Sequence, residues 1–490
     1  MTRAVIFAVT LTLALFSLAG RGARALTIDG VHDELRKVMP KSRKSLRGLG
    51  VVVKSLKTGK AVFEYNPEKA FVPASNAKII VSVTALWLLG PDYRFKTEFY
   101  TGGDITDGVL DGNLYIKGYG NPMLTTANLV YVAREFEKLG LKRVAGDVVV
   151  DDSYFDSRRY GPGWKRKWRG EYWSPPVSAL SLNFNTIDVS VSPLKPGGRP
   201  VVELGPQGSG FTYRNEAVTR GRRSRLRVNV LGNSNTVLVK GAVASRAGKR
   251  TITRPVPDPA LYAGWSFEHS LREAGIEVGG KVVRGRVPDG AKNIYTHYSE
   301  RLDSIVSKYN KASVNIVGEN LFKTLGAVYS GAPGTWKKGA GVVGEFLERL
   351  GLGKEEVTLV DGSGLSPLNR VTPRSLVDIL GFAYTDRAIG LKFITSLSIG
   401  GVDGTLEHRL GADGIRGRVL AKTGYISGVY TLSGYLFTRT NDVLAFSILS
   451  NGVGPRAKKI QQDILLTLVK CCGEEHSAVD DSTRLYGAGE

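Results

Sequence analysis

The chain has 490 residues, of which 42% are hydrophobic and 23% are charged. This is the composition of a folded globular protein and excludes an intrinsically disordered chain, and the length suggests two to four domains. The 67 lysines and arginines outnumber the 45 aspartates and glutamates, and the net charge of +22 favours an anionic polymer or surface as a partner.

The first residues have the pattern of a targeting segment. An apolar run from Ala4 to about Ala19 follows a single arginine, and residues 23–25 read Ala-Arg-Ala, a small-x-small cleavage pattern. We predict a secretory signal peptide cut near Ala25, hence a periplasmic or secreted protein; a retained N-terminal anchor is the alternative. No later run reaches the ~18 apolar residues of a spanning helix, so the mature protein is expected to be soluble.

Cysteine use is sparse, with only Cys471 and Cys472 near the C-terminus. A bridge between neighbours in the chain would be strained, so free thiols or an intermolecular link are favoured. The chain has no C-x-x-C and no cluster with metal-ligand spacing, so we expect neither a metal nor a cofactor.

The first predicted elements of the mature chain are a helix over about Val31–Met39 and a β-hairpin with a turn at residues 57–60. A helix then begins at Ser75. From about Asp92 to Pro288, short runs of β character such as NLYIKG and NTVLVKGAV alternate with Gly, Asn and Pro turns, which predicts a β-rich insertion.

Helices are predicted again at Ser304–Tyr309, from Gly341 to Leu350, and in the phrases SVNIVGENLFKTLGAVYS and TPRSLVDILGFAYT. Three strands follow in RVLAKTGYIS, VYTLSGYLFTR and VLAFSILSN, and a helix around Lys458–Val469 ends the fold. This order predicts an α+β multidomain protein. Its predicted units are a signal peptide at 1–25, a helix-plus-sheet domain of 26–95 plus 290–472, a β-rich inserted domain of 96–184 plus 262–289, a second β-rich domain of 185–261 nested within it, and a flexible tail at 473–490.

Three short motifs of exported serine enzymes with a lysine base, S-x-x-K, S-x-N and K-T-G, each occur twice. Of the two S-x-x-K copies, the one at 192–195 contains a proline that argues against a helix. Ser75 and Lys78 lie where the i,i+3 spacing of a helix puts both side chains on one face. Ser75 is also in the first turn, where the unpaired N–H groups favour a developing negative charge.

The copies of the other two motifs separate in the same way. The K-T-G at 57–59 lies in the predicted hairpin turn, whereas Lys422-Thr423-Gly424 lies in an extended stretch, where Gly424 allows a substrate backbone to approach closely. The S-x-N at 181–183 lies in the insertion, whereas the one from Ser313 to Asn315 directly precedes a helix of the same domain as the other two motifs.

The chemistry supports this grouping. A serine hydroxyl needs a neighbouring base to take its proton. None of the five histidines lies near a G-x-S-x-G elbow, and a lysine can act as the base where burial and a second cation lower its pKa. Lys422 would be that second cation beside Lys78.

With these motifs in place, the chain resembles the penicillin-binding D-alanyl-D-alanine carboxypeptidases of peptidase family S13, the low-molecular-mass class C type. The resemblance covers nearly the whole mature chain and includes the phrases GNLYIKGYGNPML, GDVVVDDSYF, DGSGLS, GGVDGTLEHRL and AKTGYISGVYTLSGY. It implies a serine β-lactamase/transpeptidase-like catalytic domain with nested insertions. It also implies cleavage of the terminal D-Ala of peptidoglycan stem peptides, often with cleavage of D-Ala–diaminopimelate cross-links, and acylation by β-lactams.

The resemblance also implies roles. Ser75 is the nucleophile, Lys78 the general base and Ser313 the relay of the proton to the leaving amine. Asn315 holds the substrate amide and the base, and Lys422 supplies positive potential. Thr423 would bind the substrate carboxylate, and the N–H groups of Ser75 and Tyr425 would form the oxyanion hole.

Two positions depart from the family pattern. Tyr425 stands where relatives have Ser or Thr after K-T-G, which puts the affinity for the carboxylate in doubt. Pro367 follows DGSGLS where many relatives have Arg, so recognition of the stem-peptide side chain is expected to differ. By the same resemblance, Asp151 or Asp152 could contact the diaminopimelate amine, or both are ordinary turn aspartates after a strand; of the two, Asp152 is the predicted contact.

Other classes of function stay open at this point. A β-lactamase would share the acylation, but no deacylating Glu motif follows Ser75. A non-catalytic protein that binds the cell wall or an anionic polysaccharide would use the basic, aromatic stretches Arg158–Trp173 and Thr219–Arg227, although such a protein is expected to lose part of the serine–lysine set. These stretches leave open a peripheral contact with an anionic wall or membrane surface. Nucleic acid is not expected as a partner, because the export signal removes the chain from it.

Overall fold

A six-stranded antiparallel sheet joins the two ends of the chain in the computed structural model, which describes residues 28–232 and 234–471. In spatial order its strands are Ala61–Tyr65, Leu49–Ser55, Val443–Asn451, Val429–Phe437, Val419–Ile426 and Ser398–Ile399. The central strands are almost continuously apolar because helices cover both faces of the sheet. The predicted hairpin and the three C-terminal strands are therefore confirmed.

Helices pack on both faces of this sheet. Ile28–Val38 and the C-terminal helix Ala457–Cys471 share one core with one face. The other core is built with Ala77–Leu89, Leu302–Ala312, Asn315–Ser330, Trp336–Arg349, Pro373–Thr385 and Gly390–Ser396. A short helix, Arg43–Arg47, precedes the strand Leu49–Ser55 in the chain. Val357–Thr358 and Arg370–Val371 form a separate two-stranded antiparallel sheet. The predicted helices are present, with ends that differ from the prediction by a few residues.

The first part of the insertion has two sheets. The five-stranded sheet has the order Val282–Arg284, Val148–Asp151, Leu114–Gly118, Lys96–Thr101 and Lys292–Tyr298. The four-stranded sheet has the order Glu277–Val278, Arg143–Val144, Val109–Leu110 and Ile105–Thr106. Two helices, Thr126–Lys138 and Pro259–Glu273, share a core with the strands, and the β-rich interpretation did not predict either of them.

The second part of the insertion has two three-stranded sheets around a small core rich in valine. One has the order Val201–Gly205, Thr186–Ser192 and Arg250–Pro255, and the other Thr212–Thr219, Thr236–Val243 and Arg225–Val230. The predicted domain boundaries stay a prediction. The strand Lys292–Tyr298, which that prediction assigns to the domain of the chain ends, pairs with Lys96–Thr101 of the inserted sheet.

Two sequence predictions fall largely outside this description. The signal peptide and the C-terminal tail lie outside the described residues, as does Cys472. Within the described part of the chain, no helix combines the length and apolarity needed to cross a membrane.

Candidate active site

The S-x-x-K motif lies at the start of the buried helix Ala77–Leu89. A single 3₁₀ turn, Ala74–Asn76, leads into this helix and places Ser75 half-buried and Lys78 fully buried. Lys78 Nζ donates a hydrogen bond to Ser75 Oγ at 3.1 Å, so the spacing brings the two side chains together as predicted. Ala74 has a φ of 46°, a conformation that costs energy in a residue with a Cβ and is typical of functional turns.

Neutral oxygens surround the Lys78 ammonium. Besides Ser75, it donates to Asn315 Oδ1 at 2.7 Å and to the carbonyl oxygen of Ser363 at 2.6 Å. Among the described residues, no carboxylate lies within ion-pair distance of it. The amine is thus fixed in direction by three acceptors without being held in its charged form by an ion pair.

The S-x-N motif is the junction of two helices. Leu302–Ala312 ends at Ser313, whose φ of 56° turns the chain, and the next helix begins at Asn315. Lys422 Nζ donates to Ser313 Oγ at 3.0 Å, and Asn315 Nδ2 donates to the carbonyl of Trp173 at 2.8 Å. The junction therefore connects both lysines of the site with the inserted part of the chain.

The K-T-G motif lies in the strand Val419–Ile426, which passes the nucleophile turn. A Cβ on Gly424 would lie 2.1 Å from Thr431 Oγ1 and 3.0 Å from the backbone nitrogen of Ser75. The glycine thus has a packing reason that the sequence did not suggest: it lets the strand close on Thr431 and on the serine turn. Tyr425 is 64% exposed, and its ring lies 5.0 Å from that of Tyr430.

The loop DGSGLS, residues 361–366, contacts the Lys78 amine through the carbonyl of Ser363. Asp361 accepts hydrogen bonds from the N–H groups of Gly364 and Ser366, from Asn369 and from the indole of Trp164. Glu319 accepts from Ser363 N at 2.8 Å and from Trp336 Nε1 at 2.6 Å. Both carboxylates are fully buried, and together they fix the loop that presents the Ser363 carbonyl to Lys78.

Burial dominates the electrostatics of the site. It lowers the pKa of Lys78 to about 7, while the charges of Glu319 and Asp361 oppose this shift. Burial also lowers the pKa of Lys422, with the nearby Lys78 as the second cause. Desolvation is thus the main cause of the lowered pKa of Lys78, whereas the sequence analysis also expected Lys422 to lower it. The repulsion between the two cations contributes to the lowered pKa of Lys422 instead. Burial and the neighbouring Asp361 raise the pKa of Glu319 to about 7.

The remaining candidates lie apart from these contacts. Asp152 is held by Arg159 at 2.6 Å and Arg284 at 2.8 Å, and burial leaves only 13% of its side chain exposed. Asp151 is fully buried and accepts from the N–H groups of Ser153 and Val287. The proposed contact of Asp152 with an amine stays a prediction, and these arginines weigh against it.

Sequence reasoning missed several residues of the site. Thr405 accepts a hydrogen bond from Thr423 Oγ1 at 2.8 Å. The carbonyl oxygen of Ser363 accepts from Lys78, and that of Trp173 accepts from Asn315. Two of these residues lie in DGSGLS and GGVDGTLEHRL, phrases that carried the family resemblance without a role for each residue. In the basic stretch, Trp168 is buried and Trp164 donates to Asp361, so neither indole forms an open stacking surface.

Comparisons with known proteins identify the family of this chain. The chain matches the D-Ala-D-Ala carboxypeptidase 3 (S13) family over residues 32–470. It is 34% identical over 461 residues to a D-alanyl-D-alanine carboxypeptidase of Actinomadura sp. (strain R39), covering 89% of this chain and 84% of that protein. It is 29% identical to D-alanyl-D-alanine carboxypeptidase DacB of Haemophilus influenzae, covering 82% of this chain and 85% of that protein.

The fold agrees with solved structures as well. The crystal structure of penicillin binding protein 4 (dacB) from Haemophilus influenzae matches with a TM-score of 0.78 at 27% identity, covering 90% of this chain and 98% of that one. The structure of the same protein complexed with a β-lactam matches with a TM-score of 0.73, covering 89% and 98%. The predicted α+β multidomain fold class and the resemblance to family S13 are confirmed. The chain belongs to the D-Ala-D-Ala carboxypeptidase 3 (S13) family.

Proposed function

We propose that this protein is a serine-type D-Ala-D-Ala carboxypeptidase that acts on peptidoglycan stem peptides and is acylated by β-lactams. The observation that carries the proposal is the buried lysine of the site. Lys78 lies 3.1 Å from the Ser75 hydroxyl, and its pKa is lowered to about 7. A neutral amine at this distance is a base able to take the serine proton at neutral pH.

The reaction follows from these contacts. Lys78 takes the proton of Ser75, whose oxygen attacks the carbonyl carbon of the D-Ala-D-Ala peptide bond. The N–H groups of Ser75 and Tyr425 stabilise the oxyanion, a contribution of about 3 kcal/mol for each donor. The proton passes to the leaving D-Ala amine through Ser313, whose hydroxyl accepts from Lys422 at 3.0 Å. Water then releases the acyl group and restores Ser75.

Substrate binding is proposed on the strand Val419–Ile426. Thr423 has its hydroxyl 2.8 Å from that of Thr405, so the site offers two adjacent hydroxyls to the terminal carboxylate despite Tyr425. Lys422 adds positive potential below them. Gly424 keeps the strand close to Ser75. The amide oxygen of Asn315 accepts from Lys78, which holds this side chain beside the serine, where it can orient the substrate amide.

Three finer points are part of the same proposal. Cleavage of D-Ala–diaminopimelate cross-links would use the same serine and the same acyl step. A signal peptide at 1–25 would deliver the protein to the periplasm. Five exposed arginines between Thr219 and Arg227 support a peripheral contact with an anionic wall or membrane surface.

The test is covalent labelling with a fluorescent penicillin, followed by intact mass and by D-Ala release from a pentapeptide. Wild type is expected to form a one-to-one adduct, which Ser75→Ala abolishes. Ser192→Ala is the matched control, since it removes the serine of the other S-x-x-K copy, at the end of the strand Thr186–Ser192.

The outcomes separate the candidate functions. A stable adduct with D-Ala release supports the carboxypeptidase, whereas an adduct that turns over rapidly without D-Ala release indicates a β-lactamase. A folded wild type that does not label would overturn the proposal and favour the wall-binding protein. The family match supports the enzyme and not the wall-binding alternative.

A further inference from the structure

The basic, aromatic stretch Arg158–Trp173 belongs to a loop that is closed at its base. Val177 N donates to the carbonyl of Arg159 at 2.8 Å, and Arg159 Nη1 donates to the carbonyl of Val177 at 3.2 Å. The chain between these two residues, the 160–176 loop, therefore leaves the inserted part of the chain and returns to the same point. The reaction described above gives this loop no role.

The beginning of the 160–176 loop contacts the DGSGLS loop. Trp164 Nε1 donates to Asp361 Oδ2 at 2.8 Å. Asp361 is fully buried, so the indole supplies a hydrogen bond that water cannot replace. Gly163 lies against the same loop, because a Cβ on it would be 2.9 Å from Ser366 Oγ. Two neighbouring residues of the 160–176 loop thus fix the position of DGSGLS.

The end of the 160–176 loop contacts the S-x-N junction. The carbonyl of Trp173 accepts from Asn315 Nδ2 at 2.8 Å, and Asn315 Oδ1 accepts from Lys78 at 2.7 Å. The Trp173 ring is held from within the loop, since it lies 5.6 Å from the ring of the buried Trp168. The Trp173 carbonyl therefore fixes the direction in which the Asn315 amide points its oxygen.

These two contacts meet at one amine. Lys78 donates to Ser75 Oγ, to Asn315 Oδ1 and to the Ser363 carbonyl. The first acceptor is the nucleophile, and the other two direct the amine toward it. The 160–176 loop holds both of these directing acceptors, Asn315 through a backbone carbonyl and Ser363 through the loop that contains it.

We infer that the 160–176 loop positions the Lys78 amine, with Trp164 as the positioning residue at one end and the Trp173 carbonyl at the other. By fixing both directing acceptors, the loop keeps the amine aligned with the Ser75 hydroxyl. A displacement of about 1 Å can lower the rate of such a step strongly, because the reacting atoms must be held in near-attack geometry. The inference rests on the proposed function, in which Lys78 is the base.

The kinetics of acylation by penicillin test this role. Stopped-flow labelling at several penicillin concentrations separates the dissociation constant of the non-covalent complex from the limiting rate of acylation. Trp164→Phe keeps an aromatic ring and removes the N–H donor, so the limiting rate should fall about tenfold with an unchanged dissociation constant. Trp265→Phe makes the same change on the helix Pro259–Glu273 and should leave both constants unchanged.

Two glycines of the 160–176 loop provide a second, matched pair. Gly163 and Gly170 have φ values of 74° and 101°, so alanine is strained at both positions. The added Cβ of Gly163→Ala meets Ser366 Oγ, whereas that of Gly170→Ala meets no atom of the described residues within 4 Å, apart from its chain neighbours. Gly163→Ala should therefore lower the limiting rate about tenfold, and Gly170→Ala should change it less than twofold.

The final amount of adduct gives the folded fraction of each variant, so a loss of folded protein does not imitate a loss of rate. A limiting rate within twofold of wild type in Trp164→Phe, or equal falls in Gly163→Ala and Gly170→Ala, would overturn the inference. A raised dissociation constant with an unchanged limiting rate would also overturn it, because the loop would then act on binding. Failure of the proposed function is read separately, as the absence of an adduct in the wild type.

Discussion

Two lysines, Lys78 and Lys323, lie on helices of the same core and have no exposed surface. Lys323 Nζ is 2.6 Å from Asp156 Oδ1 and 4.1 Å from the centre of the Trp336 ring. Lys78 instead donates to a hydroxyl, an amide oxygen and a carbonyl. One lysine therefore has an ion-pair partner, whereas the other has only neutral acceptors.

This difference determines what each amine can do. Burial lowers the pKa of both lysines. At Lys323 the hydrogen bond and charge of Asp156 oppose the shift, whereas at Lys78 the opposing carboxylates act only through space and the pKa falls to about 7. Both lysines lie equally deep in the core, so the partner atoms distinguish a structural cation, Lys323, from the amine that we propose as the base, Lys78.

The largest effect is expected from Lys78→Met. Without the base, acylation of Ser75 by penicillin should slow by about a thousandfold. Lys323→Met is the matched control and should keep the acylation rate within a few fold, because Lys323 has no contact with Ser75. Stopped-flow labelling measures both rates, and a comparable loss in the two variants would contradict the distinction.

Stability should show the opposite order. Lys323→Met leaves the Asp156 carboxylate without its cation and should lower the free energy of unfolding by about 2–3 kcal/mol. Lys78 has no ion pair that offsets the desolvation of its ammonium group. Lys78→Met should therefore lower the free energy of unfolding by at least about 1 kcal/mol less than Lys323→Met does. Urea unfolding of the two variants measures this, and an equal loss would argue against the assignment.

The sequence could predict which side chains meet in the candidate site, because the motifs have short, local spacings. Ser75 and Lys78 must share a helix face, and three short motifs must come from one domain. The contacts that distinguish Lys78 from Lys323 have no such local spacing in the sequence. A backbone carbonyl such as that of Ser363 has no side-chain signature, and Asp156 lies far from Lys323 in the chain.

The fold shows the same limit. The apolar strands of the main sheet are visible in the sequence, but the sequence analysis does not predict the helix Thr126–Lys138, although Thr125 and Asn128 form a capping box at its start. The turns on either side of it dominated the interpretation. The positive φ of Phe184 could not be predicted either, since the neighbouring Asn183 is held by Thr126 and Tyr262, which lie far from it in the chain.

The pH dependence should report Lys78, together with Glu319, because both groups have a pKa of about 7. Since the neutral amine is the base, the acylation rate should rise about tenfold per pH unit below pH 7 and level off above it. A profile that is flat from about pH 5 to 9 would contradict the assignment of Lys78 as the titrating base. Lys323→Met should leave the midpoint unchanged.

The same shift has a consequence for stability. The folded pKa of Lys78 is about 7 and the ordinary value is 10.5, so between these values the unfolded chain binds more protons and stability rises with pH. This contribution decreases as the pH falls from about 10.5 and is fully lost at about 7, below which both states carry the proton. Lys78→Met should lack it, as urea titrations at pH 7 and pH 9 would show.

The smallest effect is expected from the carboxylates around the two lysines. Glu319 raises the pKa of Lys78 through its charge without contacting it, so Glu319→Gln should move the midpoint of acylation to lower pH by about half a unit. Asp156→Asn is the matched change at Lys323 and should leave this midpoint unmoved. The midpoint is the informative quantity, because Glu319 also holds Ser363 and a disturbed loop would lower the rate at every pH. A rate that falls uniformly in Glu319→Gln, with no change of midpoint, would mean that Glu319 acts on Lys78 through the Ser363 carbonyl alone.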